Sequence, residues 1–284
     1  GLEASRAGKP FIVSPHGNIL NVRALWPAHK VLYRDWVLKR ALKRCAYVHA
    51  LSSAEAEACR RFGVTCPIRV IPNGLPAEAF VRAHDPALAL ENWPVLKGRR
   101  VLLFMGRLAP LKGLDLLLPA FSRLRKRDGW ILVVAGHDYR GYSRHVAAMA
   151  GHFGLGGSIV LPGPVRGELK QSLLGTAEAF VLPSYIEGFS VALLEALSAS
   201  LPCVFTTQCH FKELAHAGGG WETEPEAGAL GEALGVCLNM DRRKLKAMGA
   251  AANRLGRAKY TLDAVADGLL DMYRDAVRTG ATSR

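Results

Sequence analysis

The sequence predicts an α/β protein built on doubly wound parallel sheets, and three observations carry that expectation. Short apolar runs such as residues 179–182 (Ala-Phe-Val-Leu) lack the period-two alternation of a half-solvated strand. Such runs suit parallel strands covered on both faces. They alternate along the chain with segments of helical period, as at Val191, Leu194 and Leu197. Gly- and Pro-bearing turns, Pro72-Asn73-Gly74 and Pro162-Gly163-Pro164 among them, separate the two kinds. At 284 residues and 50% hydrophobic, the chain can fill one large or two modest cores.

In order, residues 11–14 read as a strand followed by the turn Pro15-His16-Gly17-Asn18. Residues 23–62 are largely helical in pattern, with an apolar stripe of Leu32, Trp36, Leu38 and Leu42. Lys39, Arg40, Lys43 and Arg44 make its basic face, which is either a solvated face or a membrane-surface element. A strand at 46–50 interrupts this segment, and a helix starts at 51–55. Residues 68–71 are a strand ending in Pro72-Asn73-Gly74. That succession amounts to part of a doubly wound domain. Residues 76–98, polar and weakly periodic, read as a linker. The expected division is therefore 1–80, a partial first domain, and 81–284, a second and complete one.

The second domain opens with a strand at 100–105, a Gly-bounded loop at 106–113, a helix at 114–126 and a strand at 130–135. His137 reads as a loop residue, because nothing pairs it with a nucleophile. A helix at 143–153, a strand at 159–161 and a helix at 166–174 precede the strand at 179–182. The Gly-rich loop 154–157 follows a helix and precedes a strand, the reverse of a dinucleotide fingerprint. Ser190 caps the next helix and Pro202 ends it. A strand at 203–206 and helices at 226–240, 242–259 and 262–277 complete the order.

Two stretches carry chemistry. Arg107 and Lys112 lie in a loop between a buried strand and the next helix, where a guanidinium and an ammonium suit phosphate oxygens. Glu187 and Glu195 frame the start of the helix that Ser190 caps, roughly 12 Å apart at a helical rise. That is too far to share a proton as a hydrolase acid/base pair does. Between them, the amides of Gly188, Phe189, Ser190 and Val191 form an anion site at a helix N-terminus. Carboxylates on either side of a phosphate cradle accept from hydroxyls, which a sugar and a ribose both offer.

The residues Pro183-Ser184, Glu187-Gly188-Phe189-Ser190, Leu194-Glu195-Ala196 and Leu201-Pro202, together with Gly106-Arg107 and Lys112-Gly113, resemble a known signature. It is that of the family-4 (group 1) retaining glycosyltransferases of GT-B fold. The resemblance implies two Rossmann-like domains and transfer of a sugar from a UDP or GDP donor to a saccharide or lipid-linked acceptor. Retention, independence of metal and no cofactor beyond the donor are implied with it. Arg107 and Lys112 would neutralise the diphosphate, Glu187 would hold donor-sugar hydroxyls and Glu195 would accept from the ribose. Gly106, Val165, Gly188, Phe189, Ser190 and Val191 would line the donor, with Val165 at the nucleobase. His16 is either a turn residue or a group beside the donor sugar. The family's first domain opens with a segment bearing a Gly-rich loop, which this chain begins too late to include. Its last helix returns to that first domain. Ser200 stands where the family has Gly, which matters if that position needs positive φ.

The net charge of +13 fits nucleic acid, an anionic membrane surface or anionic substrates. With no nucleic-acid module recognisable, peripheral contact with the inner face of the cytoplasmic membrane is the expectation, and a nucleic-acid partner is not. Six cysteines without C-x-x-C spacing read as reduced thiols of a cytoplasmic protein. A role in polysaccharide biosynthesis follows from the resemblance. The alternative is a donor-nucleotide-binding module without transfer activity of its own. A GT-B epimerase is a weaker reading, and an NAD-dependent dehydrogenase lacks its G-x-G-x-x-G turn.

Overall fold

The computed structural model describes residues 3–4, 7–17, 36–124 and 129–282. They divide into two compact units. The first comprises Gly1–Gly74, Glu187–Phe189 and Lys259–Arg284, and the second Leu75–Ile186 and Ser190–Ala258.

In the first unit, β1 (Ile12–Val13), β2 (Tyr47–Ala50) and β3 (Ile68–Val70) form a parallel sheet in that order. The helix Ser53–Phe62 makes the crossover from β2 to β3. Ser52 caps its start, and Gly63 in the left-handed region (φ 98°) closes it. One face of the sheet packs Val48 with Leu42, Cys45 and Cys59. Another cluster joins Ile12, Tyr47 and Ile71 to Val265, Leu269 and Met272 of the helix Leu262–Thr282.

The second unit holds six parallel strands in the order β6-β5-β4-β7-β8-β9. They are β4 (Arg100–Met105), β5 (Trp130–Ala135), β6 (Ile159–Gly163), β7 (Ala179–Leu182), β8 (Cys203–Thr206) and β9 (Gly220–Thr223). β5, β7 and β8 are buried at every position and β4 at all but its first, whereas β6 and β9 are half-exposed. The uninterrupted apolar runs thus sit centrally and the mixed ones at the edges, as a sheet covered on both faces requires. Phe104, Phe121, Trp130, Phe180, Phe205 and Phe211 fill its core.

Two expectations need correction. Residues 76–98 are not a linker: they form short helical turns and the helix Ala87–Asn92, all within the second unit. Ala89 is buried there, and its N–H donates to Ser172 Oγ at 2.9 Å. The expected division at 80/81 also differs from the one observed. Val265, Leu269 and Met272 bury against first-unit residues, and Arg69 pairs with Asp275 at 3.0 Å, so the chain's last helix belongs to that unit. The helix expected at 114–126 spans Leu114–Ser122, with 125–126 outside the described residues. The helical reading of 23–35, Leu32 included, and Asn18 of the first turn also lie outside them. Residues 36–42 are helical.

Candidate functional site

In the second unit the strand order reverses between β4 and β7: β5 and β6 extend to one side, β8 and β9 to the other. Ligands of open α/β sheets bind in the crevice at such a switch point, outside the carboxyl ends of the strands. The loops that leave β4 and β7 there are the two stretches singled out in the sequence, 106–113 and 183–190.

The β4 loop is held by backbone bonds to its neighbours. Gly106 N–H donates to Ala135 O at 3.0 Å, and Gly136 N–H to Gly163 O at 2.8 Å. A side chain on Gly136 would collide with the Gly106 carbonyl, so two strand ends meet at a glycine. Leu108 N–H donates to His137 O at 2.8 Å, and Leu108 O accepts from Tyr139 N–H at 3.1 Å. That pairing places the exposed Arg107 guanidinium over the Tyr139 ring, 5.3 Å from its centroid. Arg140 lies at the same distance from that ring. Tyr139 therefore gathers two guanidinium groups at the end of β5.

The loop continues through a tight turn, Pro110–Lys112, and Gly113 at φ 68°. A Cβ on Gly113 would collide with the Pro183 carbonyl, and Tyr185 N–H donates to Leu111 O at 2.9 Å. Tyr185 Oη also donates to Asp115 Oδ2 at 2.9 Å. Burial and that carboxylate push the phenol up to about 12. The Arg107–Lys112 loop and the start of the β7 loop are thus packed backbone to backbone.

The helix Val191–Ser198 begins under Ser190, whose Oγ accepts from Leu193 N–H at 3.2 Å. Its dipole leaves the first turn favourable to an anion. Glu195 lies further along this helix, and its Oε1 accepts from Lys170 Nζ at 2.7 Å. Val165 is half-buried in the turn that follows β6.

The first unit holds the other candidates. His16 is exposed, at φ 49°, in the turn after β1, followed by Gly17 at φ 80°. The buried Glu55 carboxylate accepts from Gly17 N–H and, at 2.7 Å, from Leu51 N–H, tying the ends of β1 and β2 together. Gly17 in turn abuts Gly188, where a Cβ would stand 2.8 Å from Gly17 Cα. His16 and the buried Glu187 therefore sit on backbone segments that touch through two glycines. The Phe189 ring lies 5.8 Å from that of Tyr260.

Sequence reasoning missed Tyr139, Lys170 and Glu55. Only Glu55 carried a signal, since Ser52-x-x-Glu55 is a capping-box pattern. Ser52 Oγ does accept from Glu55 N–H, at 3.2 Å, while the carboxylate reaches Leu51 and Gly17. Among the described residues no group of three or more His, Cys, Asp or Glu is placed to hold a metal ion. Nor is any helix among them long and apolar enough to cross a membrane.

Residues 90–254 match the family described as Glycosyl transferases group 1, and residues 1–79 that described as Glycosyltransferase Family 4. The D-inositol 3-phosphate glycosyltransferase of Acidothermus cellulolyticus is 28% identical over 234 residues, 76% of this chain and 50% of its own length. The GDP-mannose:cellobiosyl-diphosphopolyprenol alpha-mannosyltransferase of Komagataeibacter xylinus is 30% identical over 214 residues, 74% of this chain and 51% of its own. The chain thus spans about half the length of these relatives. Among solved structures, Anabaena HepE in complex with UDP and glucose superposes with a TM-score of 0.83 at 19% identity. That match covers 96% of this chain and 74% of the other. Sucrose-phosphate synthase from Thermosynechococcus elongatus gives 0.79 at 21% identity, covering 94% and 67%. At such identities the likeness shows the fold.

Proposed function

The chain belongs to the group 1 glycosyltransferases, of GT-B fold, and on that premise we propose that it moves a hexosyl group from a nucleoside diphosphate sugar to a saccharide or lipid-linked acceptor, with retention and without a metal. The observation that carries this is the packing of Gly113 against the Pro183 carbonyl. It joins the loop bearing Arg107 and Lys112 to the loop that leads into the Ser190-capped helix, at the switch point of one sheet.

In this mechanism the bond between the anomeric carbon and the diphosphate breaks as one to an acceptor oxygen forms on the same face, and the acceptor hydroxyl's proton passes to the departing phosphate oxygen. Negative charge grows on the leaving phosphate, and Arg107 and Lys112 stabilise it where other enzymes use a metal ion. The amides of Gly188, Phe189, Ser190 and Val191 take phosphate or sugar oxygens. Glu187 and His16 hold the donor sugar, Glu195 accepts from the ribose, and Gly106 and Val165 line the nucleotide. The UDP bound by HepE and the GDP-mannose named for the Komagataeibacter xylinus mannosyltransferase support a uridine or guanosine diphosphate donor.

The decisive experiment is calorimetry of UDP and GDP, with chelator present, on the wild type and Arg107→Ala. One nucleotide binds the wild type, and the variant loses roughly ten- to a hundredfold in affinity, the worth of a charge-assisted contact. Binding of neither, or equal binding to both proteins, overturns the assignment. The anomeric configuration of a transferred sugar, read by NMR, tests retention.

Peripheral membrane contact belongs to the same proposal. Trp36 is 65% exposed on the helical stretch 36–42, with the Arg40 guanidinium 5.9 Å from its ring centroid. An aromatic beside cations suits an anionic headgroup layer. Co-sedimentation with phosphatidylglycerol vesicles, lost in Trp36→Ser, tests it.

A further inference from the structure

The Lys170–Glu195 ion pair is the strongest feature near the switch point that the donor-site reading leaves unused. Lys170 lies in the first turns of the helix Gly167–Thr176, and Glu195 in the helix Val191–Ser198. Each helix follows a strand of the same parallel sheet, β6 and β7 respectively, and so starts on the side of its carboxyl edge, with Lys170 the fourth residue of one and Glu195 the fifth of the other. Both side chains are about three-quarters covered, at 27% and 21% exposure, and their separation is 2.7 Å. A partly desolvated pair at that distance holds a carboxylate rotamer more firmly than an exposed pair does. One carboxylate oxygen, Oε1, takes the ammonium. The other remains to accept from a ligand hydroxyl.

We propose that Lys170 is a positioning residue for the donor nucleotide: by holding Glu195 Oε1 it presents the second carboxylate oxygen to the ribose diol, and so sets discrimination between ribo- and deoxyribonucleotides. The inference rests on the ribose role given to Glu195 above. A fixed acceptor distinguishes a hydroxyl from a hydrogen far better than a mobile one, because losing the hydroxyl leaves a positioned charge unsatisfied. A pair that merely staples two helices would affect both kinds of nucleotide alike.

The test compares UDP and GDP with their 2′-deoxy and 3′-deoxy forms by calorimetry. The proteins are the wild type, Lys170→Met, Lys170→Arg and Glu195→Gln, each shown folded by its thermal transition. The wild type prefers the ribonucleotide over at least one deoxy form by roughly tenfold or more, the worth of a hydrogen bond to a charged group. Lys170→Met loses most of that preference while its affinity for the deoxy form stays within about twofold, and Lys170→Arg restores it. A wild-type preference that persists in Lys170→Met overturns the Lys170 role alone, as does an equal loss for both nucleotides. A wild type without preference, or one binding no nucleotide, overturns the Glu195 assignment and this role with it. Glu195→Gln separates the two: it abolishes the preference if Glu195 reads the ribose, whatever Lys170 does.

Discussion

Gly113 and the Pro183 carbonyl occupy adjoining positions with no room for a side chain between them. Seventy residues apart in sequence, they fix the cation-bearing loop to the loop that opens the acidic one. Gly113 also has φ 68°, so a side chain there meets both a clash and backbone strain. Gly113→Ala should lower stability by roughly 2–4 kcal/mol in denaturant titration and weaken nucleotide binding with it. An unaffected transition would mean that the two loops part easily.

Ser200 gives the opposite expectation. Its N–H donates to Leu197 O and that of Leu201 to Ala196 O, the two bonds of a Schellman closure. Ser200 holds the left-handed position of that closure at φ 56° and is exposed. Ser200→Gly should therefore stabilise the protein, by about 0.5–1 kcal/mol once the added freedom of the unfolded chain is subtracted. A lower denaturant midpoint would refute this.

Glu55 ties the turn bearing His16 to the start of the helix Ser53–Phe62. Glu55→Gln replaces one acceptor oxygen by a donor facing an N–H, at a cost of about 1–3 kcal/mol. Chemical denaturation should register that loss. Retention of full stability would show that the turn needs no carboxylate.

The cysteines should differ sharply in reactivity. Cys45 Sγ lies 2.8 Å from Cys66 Sγ, and the hydrogen bond between the two sulfurs lowers Cys66 below its ordinary value of 9.0 and raises Cys45. Burial pushes Cys59 and Cys237 up to about 12, and Cys203 well above 9.0. A lowered value means that thiolate persists to lower pH, so iodoacetamide at neutral pH should label Cys66 first. Its rate should reach half-maximum below pH 9.0, and Cys45→Ala should shift that midpoint upward. Peptide mapping by mass spectrometry checks both.

What the sequence disclosed and what it hid follow one physical division. The strands, the Ser190 cap and the two motif loops were legible because burial pattern, capping and turn chemistry act within a few residues. The Ser200 departure was legible only as a condition, for the resemblance marked the position while the sign of its φ came from the structure. The segment 76–98 was misread as a linker because its partner, Ser172, lies 83 residues beyond Ala89. Lys170 looked like any surface cation until the fold set it beside Glu195, 25 residues on. The last helix gave no sign of its unit in its own pattern, for an amphipathic stripe specifies a buried face without naming what buries it; only the family resemblance pointed to the first domain, where the helix lies.

That helix bears on how the protein is made. The first unit is discontinuous, needing residues 259–284 against Ile12, Tyr47 and Ile71 before its apolar face is covered. The second unit is finished by Ala258 and has its six strands between residues 100 and 223. Within residues 1–284 the six strands of the second unit therefore all precede the helix that covers the first unit's apolar cluster, so that cover reaches the first unit only after the second unit's sheet has been synthesised.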